Sequence, residues 1–189
     1  MNNRIKTLSR LCLISIIVMN SCAIHGNFEG LYSYYDRVKS KNPSLLIKPN
    51  INSSICKLKN VDTPHIYVIN GASFKECADK YDSAVVYIWS PKCKSKFCYP
   101  LTLLQKECNN KKVELFIVAE YYDNEFMELD YHLNRPIFGI DTEYYNTNLT
   151  SKYRSKFLYD ITSKNDIAGR FIYFKKGSFI KSFNSIEEI

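Results

Sequence analysis

Two cysteines, Cys93 and Cys98, stand with four residues between them in the stretch SPKCKSKFCYP, directly behind an apolar run at 84–89. A thiolate is a strong nucleophile, and a second sulfur within reach can displace the mixed disulfide that the first one forms. These residue types at this spacing therefore point to thiol–disulfide exchange, with Cys93 as nucleophile and Cys98 as resolver. Lys92, Lys94 and Lys96 surround the first thiol with positive charge, which favours its ionised form. A strand, a tight turn, a cysteine and a helix in succession bring a thiol to a helix N-terminus. There the free N–H groups and the helix dipole act in the same direction. The alternative is a binding module in which the same pair is a structural disulfide or two inert thiols.

The elements around the pair decide which holds. Residues 84–89, Ala-Val-Val-Tyr-Ile-Trp, read as a strand buried on both faces. Trp89 packs at its end. Behind the cysteines, Phe97, Leu101, Leu104 and Cys108 fall on one helical face, so Cys108 reads as a small core residue. If one continuous helix carried both Cys93 and Cys98, five positions of about 100° each would leave them about 140° apart, and no bridge would form. Proline is tolerated in the first turn of a helix and not in its interior. Pro100 therefore predicts a regular helix starting near Tyr99, with 93–98 as a loop in which the sulfurs can meet.

The remaining chain alternates strands and helices. The stretch 65–70 reads as a strand. Ser73-Phe74-Lys75-Glu76 has the form of a capping box with Ser73 at the N-cap, opening a helix to about Tyr81. Strands are expected at 113–119 and 135–140, and helices at 124–133 and 150–159. Arg170 to Phe174 is a strand, and after a turn at Gly177 the chain returns at 179–183 as a hairpin partner. This order predicts an α/β fold, a mixed sheet with helices on both faces and a terminal β-hairpin.

The chain has 189 residues, enough for one folded domain, and is 46% hydrophobic and 14% aromatic. Its net charge is +7. Arg4, Lys6 and Arg10 supply three of those charges, and residues 1–21 contain no acid. No stripe of Lys and Arg interleaved with stacking aromatics stands out, so no nucleic-acid partner is expected. The basic start followed by an apolar run nine residues long at 11–19 reads as a secretory signal, too short to span a bilayer. The ending Met19-Asn20-Ser21-Cys22 resembles the bacterial lipobox. That resemblance implies cleavage after residue 21, a lipid on Cys22, and a membrane-anchored protein of the bacterial cell envelope. Residues 22–62 are then a tether and N-terminal arm, with a helix at 27–39 presenting Phe28, Leu31, Tyr35 and Val38. Of the seven cysteines, Cys12 leaves with the signal. Outside the cytoplasm disulfides are permitted, and Cys56 and Cys77 are a possible second pair.

With those residues in view, 63–189 resembles the thioredoxin-like superfamily, specifically the envelope-anchored TlpA-like thioredoxins. Val85-Val86-Tyr87-Ile88-Trp89-Ser90-Pro91-Lys92-Cys93 matches that family's strand leading into Trp-x-x-x-Cys. PIFGID at 136–141 resembles the subfamily's extra strand, and FIYFKKGSFI at 171–180 its final hairpin. The resemblance implies a thioredoxin-like domain acting on protein thiols or disulfides without a cofactor. The chain departs from the family in having Cys-x-x-x-x-Cys, Lys94 as first intervening residue, and Gly169 where the cis-proline belongs. A copper site of two cysteines and a histidine, known among relatives of that fold, would draw on His25, His65 or His132, which stand far apart in sequence. Ser90-Pro91-Lys92-Cys93 followed by Cys98 is also similar to peroxiredoxins, which have Thr or Ser three residues before the first cysteine and an arginine near the thiolate. Arg170 lies on the corresponding strand, displaced by about two residues, and by itself reads as a solvated strand residue.

Overall fold

Residues 84–89 are apolar without a break because the strand they form has no solvent face. In the computed structural model, which describes residues 30–50, 54–60 and 63–189, this strand is β3, Ser83–Trp89, and every residue from Ala84 to Trp89 is buried. Its side chains alternate between two cores, as the two-residue period of a strand requires. Val85, Tyr87 and Trp89 enter one core, and Ala84, Val86 and Ile88 the other. In β4, Glu114–Ala119, Leu115, Ile117 and Ala119 enter the first, and Phe116 and Val118 the second.

Around β3 the described residues build a seven-stranded mixed sheet in the order β1-β2-β5-β4-β3-β6-β7. The other strands are β1 (Leu46–Ile47), β2 (Ile66–Ile69), β5 (Ile137–Ile140), β6 (Phe171–Lys175) and β7 (Ser178–Phe183). Strands β1 to β5 run parallel, whereas β6 pairs antiparallel with both β3 and β7, so the sheet ends in the expected hairpin. Helices cover both faces. Helices α1 (Tyr35–Lys41), α3 (Leu101–Lys111) and the single turn α4 (Asn124–Met127) contribute to the first core. Helices α2 (Gly71–Ala78) and α5 (Thr150–Thr162) contribute to the second. The α/β class with a mixed sheet holds.

Several local expectations are corrected. The N-cap of α2 is Asn70, not Ser73: its side-chain oxygen Oδ1 accepts the Ser73 N–H at 3.0 Å, so the helix starts three residues earlier than a Ser73 cap implies. Helix α1 begins only at Tyr35, because Tyr34 takes the left-handed conformation at φ 57°. Tyr35 and Val38 are buried as foreseen, Leu31 is exposed, and Phe28 lies outside the described residues. The helix expected at 124–133 stops after one turn. It buries Met127, while Leu129 is 52% exposed, so no apolar stripe supports a longer helix. Strand β1, in the arm at 22–62, was not anticipated. Its two residues pair with Ile66 and Tyr67.

Arg135 joins the arm to the sheet. Its guanidinium group lies 5.0 Å from the ring centres of both Tyr81 and Phe116. It also donates to Glu114, to the Tyr81 hydroxyl and, at 3.2 Å, to the Cys56 carbonyl oxygen. The arm is further fixed by a bridge between Cys56, in a short turn at Ile55–Lys57, and Cys77 on α2, with Cα atoms 5.2 Å apart. Among the described residues no helix is long and apolar enough to cross a membrane. Cys12, Cys22, His25 and the signal expected at 1–21 lie outside the described residues.

Candidate functional site

The site starts at the C-terminal end of β3, where Pro91 breaks the strand. The Cys93 N–H donates to the Ser90 carbonyl at 3.1 Å and closes a tight turn. The chain then runs without regular structure to Pro100, the N-cap of α3, and the helix begins at Leu101. As Pro100 implies, 93–98 is a loop, and Cys93 and Cys98 are bridged across it with Cα atoms 5.9 Å apart. Both cysteines are half-buried, while Lys94 to Phe97 between them are exposed. The late helix start also shifts an expectation. Cys98 stands three residues before the first residue of α3, and Cys93 stands eight before it. With α3 starting only at Leu101, Cys93 does not stand in the first turn of a helix as its place after the turn implies.

A buried phenol holds the loop in place. Tyr87, fully buried on β3, receives the Tyr99 N–H at 3.2 Å and donates to the Phe97 carbonyl at 3.3 Å. Burial raises its pKa, so the hydroxyl keeps the proton it donates. Its ring lies 4.8 Å from Phe171 of β6. The lysines serve the site less directly than their sequence positions imply. The Lys92 ammonium pairs with Asp123 at 2.9 Å, and the Lys92 N–H donates to the Tyr121 hydroxyl at 3.0 Å. Lys96 lies over the Phe97 ring at 5.1 Å.

A cluster that sequence reading missed stands beneath the turn. Arg170, half-buried at the entry of β6, donates to the Ile88 carbonyl at 3.1 Å and to the Ser90 hydroxyl at 2.7 Å. Ser90 in turn donates to the Glu120 carboxylate. Arg154 of α5 lies 3.5 Å from the same carboxylate and donates to the Gly169 carbonyl at 3.2 Å. Burial lowers the pKa of Arg154, and the charge of Glu120 opposes that shift. Arg170 is therefore not a solvated strand residue: two guanidinium groups share one carboxylate that is 13% exposed. Replacing Glu120 by leucine leaves both cations without their shared counter-charge. The expected cost is about 3 kcal/mol, read as a lower midpoint in urea unfolding. Gly169 is required by its own backbone, at φ +98°. A Cβ there would come within 2.6 Å of the Phe183 carbonyl oxygen.

Beside Lys92 a hollow of about 180 Å³ opens between α1 and the segment after β4, lined by Tyr34, Arg37, Lys41, Tyr121 and Asp123. Trp89 is a packing residue, buried and edge-on to Tyr131 at 5.7 Å. Among the described residues, no three His, Cys, Asp or Glu side chains are grouped as a metal ion needs. His65 is buried with its Nδ1 2.8 Å from the Thr63 carbonyl, and His132 is exposed.

Cys108 is fully buried on α3 and unbridged, and burial pushes its thiol pKa up to about 12. Native protein at pH 8 is therefore expected to leave Cys108 unmodified by iodoacetamide, whereas unfolded protein is modified there. The folded state favours the protonated thiol. That contribution to stability is complete below the ordinary thiol value of 9.0 and is lost as pH rises towards about 12. Compared with protein-family models, with curated proteins and with solved structures, the chain shows no match.

Proposed function

We propose that this chain is a thioredoxin-like thiol–disulfide oxidoreductase, held at the bacterial cell envelope by a lipid on Cys22, with Cys93 as nucleophile and Cys98 as resolver. The observation that carries this reading is the Cys93–Cys98 bridge in a partly exposed loop outside any helix. Such a bridge can be approached by a substrate thiol and opened without unwinding regular structure.

The topology around the bridge supports a thioredoxin-like domain. Strand β3 carries the cysteine loop and lies between parallel β4 and antiparallel β6. Strand β5, anticipated as the subfamily's extra strand, pairs with β2 and β4. The substrate is a protein thiol or disulfide.

The test is mass mapping of the native disulfides with and without mild dithiothreitol, alongside reduction of insulin. The 93–98 bridge opens first and insulin is turned over. If the bridge resists the reductant and no turnover occurs, the domain is a binding module with a structural disulfide.

One observation favours a second reading. The bond from Arg170 to Ser90 brings an arginine to the hydroxyl three residues before Cys93, and the resemblance to peroxiredoxins implies a Ser or Thr at that position and an arginine near the thiolate. Rapid consumption of hydrogen peroxide by the reduced protein, lost in Cys93→Ser, would select it.

A further inference from the structure

The hydroxyl of Ser95, at the centre of the loop, touches both sulfurs of the bridge. Its Oγ lies 3.2 Å from Cys98 Sγ and 3.5 Å from Cys93 Sγ. A bridged sulfur carries no proton, so the serine is the donor in either contact. Its acceptor side is already engaged. The Phe97 N–H points to Ser95 Oγ at 3.3 Å, and the Cys98 N–H to the Ser95 carbonyl at 3.0 Å. Those two bonds fold the loop back over the serine and leave its single proton facing the sulfurs. Accepting one hydrogen bond also strengthens the one the hydroxyl gives.

We infer that Ser95 is a catalytic residue of the bridge, donating a hydrogen bond to the Cys98 thiolate as that sulfur leaves. This rests on the oxidoreductase reading above and adds to it the group that stabilises the leaving sulfur. In the step, an incoming thiolate attacks Cys93 Sγ and a new S–S bond forms there. The Cys93–Cys98 bond breaks, and its electron pair passes to Cys98 Sγ. When the reductant is a dithiol, its second thiolate then displaces Cys93, so the reductant ends as a disulfide and both cysteines are reduced. A leaving thiolate with a lower pKa departs faster. Cys98 is favoured as the leaving sulfur because it is the one closer to Ser95. With one proton to give, the hydroxyl serves one sulfur at a time. The geometry therefore sorts the pair: Cys93 is attacked, and Cys98 departs.

The experiment uses the full chain and its Ser95→Ala and Ser95→Thr variants. One readout is the second-order rate at which dithiothreitol opens the bridge at pH 7. The other is the pH profile of Cys98 alkylation in a Cys93→Ser background. Ser95→Ala is expected to slow opening about tenfold and to raise the Cys98 midpoint by about one pH unit, the scale of one hydrogen bond to a charged group. Ser95→Thr, which keeps the hydroxyl, restores both to within about threefold and a few tenths of a unit. A purely structural serine would not move the alkylation midpoint. If Ser95→Ala matches wild type in both readouts while wild type still reduces insulin, the role of Ser95 is overturned and the oxidoreductase reading stands. If wild type has no 93–98 bridge to open, the oxidoreductase reading fails, and this inference with it.

Discussion

If the chain is the proposed oxidoreductase, replacing Cys93 by serine is expected to abolish the reduction of insulin, a loss of at least about a thousandfold, as in enzymes deprived of their nucleophile. Serine keeps the size of the side chain and the Cys93 N–H bond that closes the turn on Ser90, so the loop keeps its framework. What goes is the sulfur. Cys98 cannot take over with the same efficiency, because a mixed disulfide formed there has no second thiol to displace it. Cys98→Ser should therefore behave differently from Cys93→Ser. Its Cys93 still attacks substrate, but the product is stranded as a stable mixed disulfide, visible by mass as a covalent adduct on Cys93. The two variants together assign the roles. An adduct trapped by Cys93→Ser and none by Cys98→Ser would exchange nucleophile and resolver. Full turnover in either single variant would remove the pair from the chemistry.

The parts of this site that could be read beforehand are those fixed by neighbours in sequence. Strand β3 was legible because an uninterrupted run of Ala, Val, Tyr, Ile and Trp suits a strand with no solvent face. The loop at 93–98 followed from Pro100 alone, since a proline cannot sit two turns inside a helix that began at Cys93. The reading of Cys108 as a core residue came from helical spacing, which the burial of Leu101, Leu104 and Cys108 matches.

What escaped was set by partners distant in the chain. Arg170 looked like a solvated strand residue because Glu120 and Ser90, the groups that face it, stand 50 and 80 positions away. Arg135 gave no local sign of its place between Tyr81 and Phe116. Lys92 looked like a cation for the thiol, and it pairs with Asp123. The helix cap was misplaced by a local competition. Asn70 and Ser73 are both good N-caps, and only the direction in which the backbone leaves β2 decides between them.

The second bridge separates stability from chemistry. Replacing Cys56 and Cys77 together by serine is expected to lower the stability of the oxidised protein by about 3 kcal/mol, the chain-entropy value for a loop of this length. The residues are 21 apart in sequence, and closing that loop restricts the unfolded chain more than the folded one. The folded arm keeps other anchors: the bond from Arg135 to the Cys56 carbonyl and the pairing of β1 with β2. The variant should therefore still fold, with a lower urea midpoint and a nearly unchanged slope. Its turnover of insulin, per folded molecule and below the unfolding transition, should equal that of wild type. The 56–77 bridge should also outlast 93–98 in mild reductant, since Cys77 is fully buried whereas both sulfurs of the loop belong to half-buried residues. A thiolate must reach the sulfur it attacks, and burial of one partner closes half of the approaches. If the double variant loses turnover while remaining folded, electrons pass through the second bridge as well, and the site extends from the loop after β3 to the far side of the sheet.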